Sequence, residues 1–476
     1  MIRIDSDVFP DDVLLEIFDF YMINNLSYES KRTAEAWQSL VHVCRRWRNI
    51  VFGSPRRLNL QLYCTPETPV KDRLDIWPAL PLIIAGNMTL SGTDNVITAL
   101  GKSDRLREVL LSGLAGWGLD KVLAVMQVPL LELTSLRLFL DRSATADGGT
   151  VPVVPIPDLF LGGSASRLRS FELSGIPFPG FPKVLLSAIN LVHLRLFDIP
   201  THSGYISPQA MIAFLSALSN LESFQLRFRF TEYPDLHDGE SRRPPPSKRS
   251  TLPSLKRIHF QGASGYLEEL VADVDAPRLD CLRITFFDGI DLDSGCPRLA
   301  QFLNCAPTLR ELDEAHVQFH DDTANVTLRS RTSKSGFDDL RINIWCNEPD
   351  WQLLFIREVW NSSLRHISTV EDLFLKHEYL ELVWDGNTTE AFHWLELLRR
   401  FTAVNNLYLS EEITPCIATA LRFQQLDDGE KMTELLPSLR NIFVKDLEPS
   451  DELECFGRYV SAALGRPISI SVWDRS

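Results

Sequence analysis

The 476-residue sequence has little cysteine, and none of it is paired at the spacing of metal or redox sites. Its eight cysteines are scattered along the chain and form no C-x-x-C motif. Disulfide-stabilised folds need a far denser cysteine framework, usually in short secreted chains. We therefore expect reduced, mostly buried thiols and a protein of the cytoplasm, the nucleus or both.

Long apolar runs are missing as well. The sequence has no stretch of about 18 consecutive apolar residues, the length that a membrane-spanning helix requires. The first twelve residues, MIRIDSDVFPDD, are acidic and lack the apolar centre of a secretory signal. We therefore predict that the protein has no membrane partner.

A net positive charge is also lacking, since the formal charge is −15 at pH 7 and the pI is near 5.2. Such a chain does not attract nucleic-acid phosphates in general. Residues 1–60 hold eight basic and eight acidic residues, so the whole acidic excess lies beyond residue 60. The basic run at residues 45–48 (RRWR) is short, and such runs are typical of a solvated helix face. We predict no nucleic-acid partner.

Catalytic signatures are not found either. The sequence contains no P-loop, no dinucleotide-binding glycine motif after a strand, no G-x-S-x-G and no H-E-x-x-H. Two sets have the composition of metal ligands: Cys296, Cys305, His316 and His320 for zinc, and Asp288, Asp291 and Asp293 for calcium. Zinc fingers have two to four residues between cysteines, not eight, and the aspartates lack the glutamate at position twelve of a calcium loop. We predict a protein that is not an enzyme and uses neither metal nor cofactor.

A repeated pattern, apolar-x-x-apolar-x-apolar, is what the sequence does contain. Its full copies are Leu106/Val109/Leu111, Leu133/Leu136/Leu138, Leu168/Phe171/Leu173, Leu191/Leu194/Leu196, Leu221/Phe224/Leu226, Leu255/Ile258/Phe260, Leu279/Leu282/Ile284, Phe337/Leu340/Ile342, Val404/Leu407/Leu409 and Leu439/Ile442/Val444. Two degraded copies are Leu309/Leu312 and Leu364/Ile367. Residues two apart face one side of a strand, and the first apolar residue folds in at the strand entry. The pattern predicts the strand half of leucine-rich repeats.

Return segments between the copies have helical composition, for example at residues 208–218 and 351–360. One repeat cannot bury its own apolar edge, whereas stacked repeats form a continuous core. An ordinary domain of βα units is the alternative, and copies spread over more than 300 residues favour the repeats. The asparagine or cysteine common eight positions after the first leucine is replaced by apolar residues: Leu114, Ile176, Ile199, Phe287, Val317 and Leu447. We therefore expect an irregular solenoid held mainly by apolar packing.

Two amphipathic helices are predicted in the first sixty residues. Pro10, Asp11 and Asp12 suit a helix start. An apolar stripe follows at Val13, Leu14, Ile17, Phe18 and Tyr21, and a second one at Trp37, Leu40, Val41, Cys44, Trp47 and Val51. So few residues cannot form their own core, so the helices need a partner. That partner is either the rest of the chain, which they would cap, or another protein.

Three blocks of this region resemble the F-box family: residues 9–18 (FPDDVLLEIF), 40–48 (LVHVCRRWR) and 54–58 (SPRRL). Together with the repeats, the chain is similar to divergent fungal, basidiomycete-type F-box proteins with leucine-rich repeats. The resemblance implies docking onto a Skp-type adaptor, and through it a cullin, in an SCF ubiquitin ligase. Carried over residue by residue, the adaptor-binding set is Phe9, Pro10, Val13, Leu14, Ile17, Phe18, Val41, Cys44 and Trp47.

The predicted fold class is α/β, with a short all-α F-box-like module followed by an irregular leucine-rich-repeat solenoid. Residues 1–60 form the module, 61–100 a linker or first capping repeat, and 101–476 the solenoid. Parallel strands line its concave face, and helices or irregular segments its convex face. Residues 231–252, rich in charge and proline, are predicted to be a mobile insertion, and residues 468–473 an edge strand that caps the array.

The central outward position of each predicted strand carries several cations. Arg137, Arg195, His259, Arg283 and Arg341 stand there, and we hypothesise that they contact an acidic or phosphorylated protein target. Pairing between neighbours, with Glu172 bridging two of the arginines, is an equally open alternative. The expected function is the substrate-recognition subunit of an SCF-type ubiquitin ligase. The alternative is a leucine-rich-repeat scaffold whose N-terminal helices only cap the solenoid.

Overall fold

The chain has a mixed α/β fold. The computed structural model describes residues 9–24, 36–53, 60–77, 79–88, 92–114, 116–141, 155–177, 183–199, 206–229, 249–287, 296–310, 312–331, 340–363, 365–378, 388–426, 435–445 and 451–473. Unit 1 comprises Met1–Ala210, Ala217–Leu221 and Glu232–Pro234, and unit 2 comprises Met211–Ser216, Glu222–Thr231 and Asp235–Ser476. The predicted boundaries at residues 60 and 100 lie inside unit 1. Among the described residues, no helix combines the length and apolarity needed to cross a membrane.

Unit 1 contains a parallel sheet whose strands are adjacent in chain order. The strands are β1 Leu60–Cys64, β2 Leu82–Asn87, β3 Leu106–Leu114, β4 Ser135–Leu140, β5 Ser170–Ser174 and β6 His193–Ile199. Its helices are α1 Asp11–Asn24, α2 Ala36–Val41, α3 Arg45–Gly53, α4 Val70–Ile76, α5 Thr93–Leu100, α6 Gly116–Val125 and α7 Lys183–Leu186. Helix α8, Pro208–Ser216, follows. Two strands, β1 and β2, therefore precede the first predicted copy of the repeat.

Unit 2 contains a longer, mostly parallel sheet. Its strands are β7 Ser223–Phe228, β9 Arg257–Gly262, β11 Cys281–Phe286, β12 Glu314–Phe319, β13 Thr323–Arg329, β14 Leu340–Trp345, β15 Asp372–His377, β16 Asn406–Leu409, β17 Asn441–Lys445 and β18 Ser469–Trp473. The short strands β8 Ser250–Thr251 and β10 Val274–Asp275 pair with each other. Its helices are α9 Ser264–Ala272, α10 Pro297–Asn304, α11 Pro349–Ser363, α12 Thr388–Leu398, α13 Thr414–Leu426 and α14 Asp451–Ala463.

The full copies of the repeated sequence pattern coincide with strands, as predicted. The degraded copy Leu364/Ile367 does not, because Ile367 lies in a short 3-10 helix, Arg365–Thr369, before β15. In β4 to β6 the second and third apolar positions are buried on one side of the sheet: Leu136, Leu138, Phe171, Leu173, Leu194 and Leu196. The first position closes the preceding turn, because its N–H donates to the carbonyl three residues earlier. This bond recurs at 3.0–3.1 Å from Leu133, Leu168 and Leu191. The helices predicted near residues 208–218 and 351–360 are also present, as α8 and α11.

One part of unit 2 departs from the predicted succession of parallel strands. Its strand order is β7, β9, β11, β14, β13, β12, β15, β16, β17 and β18, and β13 runs antiparallel to both neighbours. A tight turn causes this, since His320 N donates to Thr323 O at 2.8 Å and joins β12 to β13 as a hairpin. The degraded copy at Leu309 thus leads into a hairpin instead of a single strand.

Two smaller predictions have different outcomes. The predicted mobile insertion lies partly outside the described residues, but its last residues are ordered: β8 includes residues 250 and 251, and Leu252 is buried. Leu252 supplies apolar surface that the fold buries, which explains why this end does not behave as a solvated loop. The terminal strand is confirmed, because β18 pairs in parallel with β17 and ends the sheet order.

Candidate functional site

The start of α1 is held by an arginine from α3. Arg46 Nη2 forms an ion pair with Asp11 Oδ1 at 2.7 Å and donates to the carbonyl oxygen of Phe9 at 2.5 Å. The carbonyl oxygen of Pro10 accepts the first helical hydrogen bonds, from the N–H groups of Val13 and Leu14. Arg46, from the basic run at residues 45–48, therefore has a structural role, which is to fix the N-terminus of α1.

The apolar residues of α1 lie on two adjacent faces, one buried and one exposed. Leu14, Leu15 and Phe18 are buried, and the Phe18 ring lies 4.8 Å from the ring of Trp47 on α3. The other face is exposed: Val13 is 41% exposed, Ile17 44%, Phe20 69% and Tyr21 39%. The single stripe read from the sequence is thus two faces, because residues 13, 17, 20 and 21 repeat at helical spacing beside the inner set. We call these four residues the outer face of α1.

The α2–α3 corner completes the helical region. Val41 is buried and its carbonyl oxygen accepts from Arg48 Nε at 3.0 Å, while Trp47 N donates to Cys44 Sγ at 3.4 Å. Cys44 and Trp47 are half-buried. Val43, between the two helices, is 57% exposed.

The predicted adaptor-binding residues therefore form two groups. Those open to contact are Phe9, Pro10, Val13, Ile17 and, in part, Cys44 and Trp47; those turned inward are Leu14, Phe18 and Val41. Sequence reasoning missed two exposed apolar residues of this region, Phe20 and Val43, which are the most exposed ones among its described side chains. Their signal is weak, since each has apolar neighbours in sequence and only the orientation of the helices shows that it faces outward.

Each unit also has a second face, made of the strand residues that alternate with those of the core, and we call it the open face. Most of its residues are exposed or half-buried, but Ile83 and Ala85 in unit 1 and Asn325, Thr327 and Phe374 in unit 2 are among those that are buried on it. In unit 1, Arg137, Glu172 and Arg195 are neighbours in register across β4, β5 and β6. Arg195 Nη1 lies 3.1 Å and Arg137 Nε 3.8 Å from Glu172 Oε2, and the Glu172 side chain is only 8% exposed. The neighbour pairing that the sequence left open is therefore present here.

The open face of unit 2 is basic. His259, Arg283 and Arg341 are neighbours in register across β9, β11 and β14. Counting the described residues that pair in register on this face, seven are arginine or lysine and two are carboxylates: Arg227, Arg257, Arg283, Arg329, Arg341, Lys376 and Lys445 against Glu314 and Asp372. We call the seven the basic face. After subtraction of the two carboxylates, the open face of unit 2 has an excess of five positive charges, although the net charge of the chain is −15.

Aromatic rings continue the same row beyond the arginines. His316, Phe374, Tyr408 and Phe443 are consecutive in register on β12, β15, β16 and β17. Their rings stack at centroid distances of 4.2, 4.1 and 4.6 Å with interplanar angles of 6°, 7° and 12°. We call these four residues the aromatic row. In the degraded copy Leu309/Leu312, Asp313 would stand at this level of the repeat, four positions after the first leucine. The structure places His316 there instead.

A tryptophan from the last strand leans onto the aromatic row. Trp473 of β18 lies 5.2 Å from the ring of Tyr408 and 5.6 Å from that of Phe374. Lys376 Nζ lies 5.1 Å from the centroid of the same indole. The terminal strand thus adds an aromatic and a cationic group to one end of the open face.

A hydrogen-bonded polar ladder runs beside the aromatic row. Asn406 Nδ2 donates to Asp372 Oδ1 at 2.6 Å, and Asn441 Nδ2 donates to Asn406 Oδ1 at 2.8 Å. Arg331 forms an ion pair with the other oxygen of Asp372. In the next strand, the hydrogen bond with His316 lowers the pKa of the Glu314 carboxyl. Both carboxylates of this open face are therefore engaged by cationic or amide groups.

The residues considered as metal ligands are not assembled into a site where they are described. No group of three or more His, Cys, Asp or Glu side chains in the described part of the chain is arranged to hold a metal ion. Cys296 is buried, Cys305 is exposed beside Arg249, and His316 belongs to the aromatic row. Asp288, Asp291 and Asp293 lie outside the described residues.

Burial also shifts the titration of several groups away from these surfaces. It raises the pKa of Cys416 to about 12 and raises the pKa of Glu108, a change that Arg107 and Arg137 partly oppose. It lowers the pKa of His377, whose two ring nitrogens have no hydrogen-bond partner among the described residues. The Cys416 thiol therefore stays protonated at neutral pH and is a poor nucleophile.

Comparison with known proteins does not assign the chain to a family. No family model matches it, and no curated protein matches it significantly.

Proposed function

We propose that the chain is a substrate receptor of an SCF-type ubiquitin ligase. Helices α1 to α3 bind a Skp-type adaptor, and the strand-built open faces hold a protein target. The proposal is carried by the outer face of α1, where four large apolar side chains are exposed on one short helix. The resemblance of residues 9–18 and 40–48 to the F-box family supports it independently.

Energetics favour a partner for this helix. The apolar side chains of α1 cover more than half of its circumference, and Asp12, Glu16 and Asp19 form a narrower polar stripe. Apolar surface of this extent is normally covered by a partner. Burying one large apolar side chain contributes about 1.5–3 kcal/mol, so covering the outer face supplies enough for a specific contact. The inner face is already fixed to α3 through Phe18, Trp47 and the Arg46 ion pair. The outer face is thus pre-organised, which lowers the entropic cost of binding.

The finer architecture belongs to the same proposal. We infer that both sheets are parts of an irregular leucine-rich-repeat solenoid. The copies of the repeat coincide with consecutive parallel strands, and the same turn bond recurs before each of several strands. Stacked repeats expose one strand residue in two along a continuous surface, which suits protein recognition. A receptor of this kind does no chemistry and acts by holding its target near a ubiquitin-loaded enzyme.

Binding of the purified chain to a Skp-type adaptor tests this proposal. The variant Ile17→Asp places a charge on the outer face of α1 without removing a buried group. We expect it to weaken adaptor binding about 30-fold or more, as for a hot-spot residue. Calorimetry or surface plasmon resonance measures the change. Leu14→Asp is unsuitable, because Leu14 is buried and its loss would unfold the helix.

The matched control is Ile76→Asp at the end of α4, where an isoleucine is 82% exposed outside the helical region. It should leave adaptor affinity unchanged. The rival function is a scaffold whose helices only cap the repeats, and the observation that supports it is the buried inner face of α1. Equal adaptor binding by the Ile17→Asp and Ile76→Asp variants, or no binding by any form, would favour that rival.

A further inference from the structure

The open faces of the two units differ in charge, and this difference indicates which one meets the target. On unit 1, the described residues in register carry two arginines and two glutamates, and Glu172 neutralises Arg137 and Arg195. On unit 2, the basic face has five positive charges in excess. A local excess of this sign in an acidic protein attracts an anionic ligand to that surface.

From this we infer that the open face of unit 2 is a docking site for an extended, carboxylate-rich polypeptide segment. The inference deepens the proposed function, on which it rests for the identity of the ligand as the receptor's target. It moves target binding away from Arg137 and Arg195, which the sequence suggested, to the basic face and the aromatic row of unit 2.

The geometry of the aromatic row favours a peptide over a single-stranded nucleic acid. Nucleic acids use aromatic side chains as platforms, on whose free ring faces the bases stack. Here Tyr408 has Phe374 on one ring face and Phe443 on the other, so neither face is free to stack a base. Phe374 is itself buried, with the rings of His316, Tyr408 and Trp473 around it.

The distribution of the cations favours carboxylates over a single phosphate. The basic face is spread over seven strands from β7 to β17, and each of these strands carries one of its cations. Eight strand intervals of about 4.8 Å span about 38 Å, which an extended chain crosses with roughly 12 residues. Several carboxylates along such a segment match the spacing of the cations better than one phosphate group, whose two charges lie at a single point.

A peptide-binding assay with the full chain tests the inference. The probe is a fluorescein-labelled peptide of twelve residues with alternating glutamate and serine, so that an extended backbone turns all glutamates to one side. We expect saturable binding by fluorescence anisotropy at 50 mM NaCl. Affinity should fall about tenfold at 300 mM NaCl, because exposed charges are screened.

The decisive variant combines Arg257→Gln, Arg329→Gln and Lys376→Gln. Arg257 and Arg329 are exposed, so their replacement preserves the fold, which circular dichroism verifies. We expect at least a tenfold loss of peptide affinity, and about threefold for Arg257→Gln alone if the triple variant fails to fold. The control Arg278→Gln, in an exposed turn before β11, should stay within twofold of the unaltered chain.

Several outcomes would overturn the inference. These are no binding of the glutamate peptide, equal binding by the triple variant, or equal binding of a matched lysine peptide. Tighter binding of a twelve-nucleotide RNA would assign the face to nucleic acid, and tighter binding of a phosphoserine peptide of equal net charge would assign it to phosphate. The assay contains no adaptor, so its failure leaves the result for Ile17→Asp intact, and the reverse also holds.

Discussion

The central row of the open face has one chemistry in unit 1 and another in unit 2. In unit 1 the neighbours Arg137, Glu172 and Arg195 satisfy one another across three strands. In unit 2 the same level of the repeat carries His259, Arg283 and Arg341 and then stacked rings. The position of a residue in the repeat therefore does not decide what it does. Its neighbours in register do, since they determine whether a charge is neutralised within the sheet.

The comparison predicts that removing cations from the central row of the open face lowers the free energy of unfolding in unit 1, while removing exposed arginines of the basic face does not do so in unit 2. The double variant Arg137→Met with Arg195→Met leaves the buried Glu172 carboxylate without a counter-ion, and we expect a loss of about 3 kcal/mol in unfolding free energy. Hydrogen exchange of β4 to β6 should report the loss locally.

The matched pair in unit 2 is Arg257→Gln with Arg329→Gln. Both side chains are exposed and lie in an excess of like charge, so we expect a change within about 0.5 kcal/mol. A loss below about 0.5 kcal/mol in the unit 1 variant would show that Glu172 does not depend on its arginines.

A second contrast concerns acid, and it should affect unit 2. His377 is buried on β15, and its burial lowers its pKa; Glu412 and Asp321 oppose this shift, while His320 adds to it. A histidine whose folded pKa is depressed binds a proton more readily when unfolded. Stability is therefore intact above about pH 6.5, the unfolded pKa, and declines as the pH falls toward the folded pKa.

Replacing His377 by leucine should remove this acid sensitivity. In the unaltered chain we expect the protection factors of the β15 and β16 amides, which are corrected for the intrinsic exchange rate, to fall as the pH falls from 7.5 to 5.5. The local free energy of opening should fall by about 1 kcal/mol over this interval, because the opened form takes up the proton. The leucine variant should show a flatter profile. A profile with the same slope in both would mean that another group titrates.

The smallest expected effect lies in unit 1, at Glu108. Burial raises the pKa of this carboxyl, so its ionised form at neutral pH costs stability, and the cost appears as the pH rises through the folded pKa. The variant Glu108→Gln should therefore stabilise the chain at pH 7, by less than about 1 kcal/mol. Thermal unfolding should show no such gain below about pH 4, where both forms are neutral.

Most strands were predictable from sequence, while β1, β2, β13 and the pairing partners were not. The spacing of Leu133, Leu136 and Leu138 predicts which residues face inward, because the pattern of buried residues is set within each strand and does not depend on its partner. The hairpin of β12 and β13 was missed because alternation is the same in parallel and antiparallel strands. The tight turn at His320 that distinguishes them has no strong signature.

The candidate surfaces were predictable to a similar degree. The apolar stripes of the N-terminal helices located the adaptor-binding region, but not which of Leu14 and Ile17 points outward. That choice depends on Trp47, which comes about thirty residues later and packs against Phe18. The aromatic row depends on register across strands far apart in sequence. Only pairing in space brings Phe374, Tyr408 and Phe443 together.

The hydrogen-bonded chain of Asp372, Asn406 and Asn441 has a consequence for how this sheet can change over time. A slip of β16 by one residue along β15 would turn Leu407 and Leu409 to water and break the hydrogen bond that the Asn406 side chain donates to Asp372. The hydrogen bonds of these three short side chains thus fix the register of β15, β16 and β17. Because the register is fixed at the start of each strand, the next outward positions can change from charged to aromatic residues with little loss of stability. New binding specificities can therefore arise on an unchanged backbone.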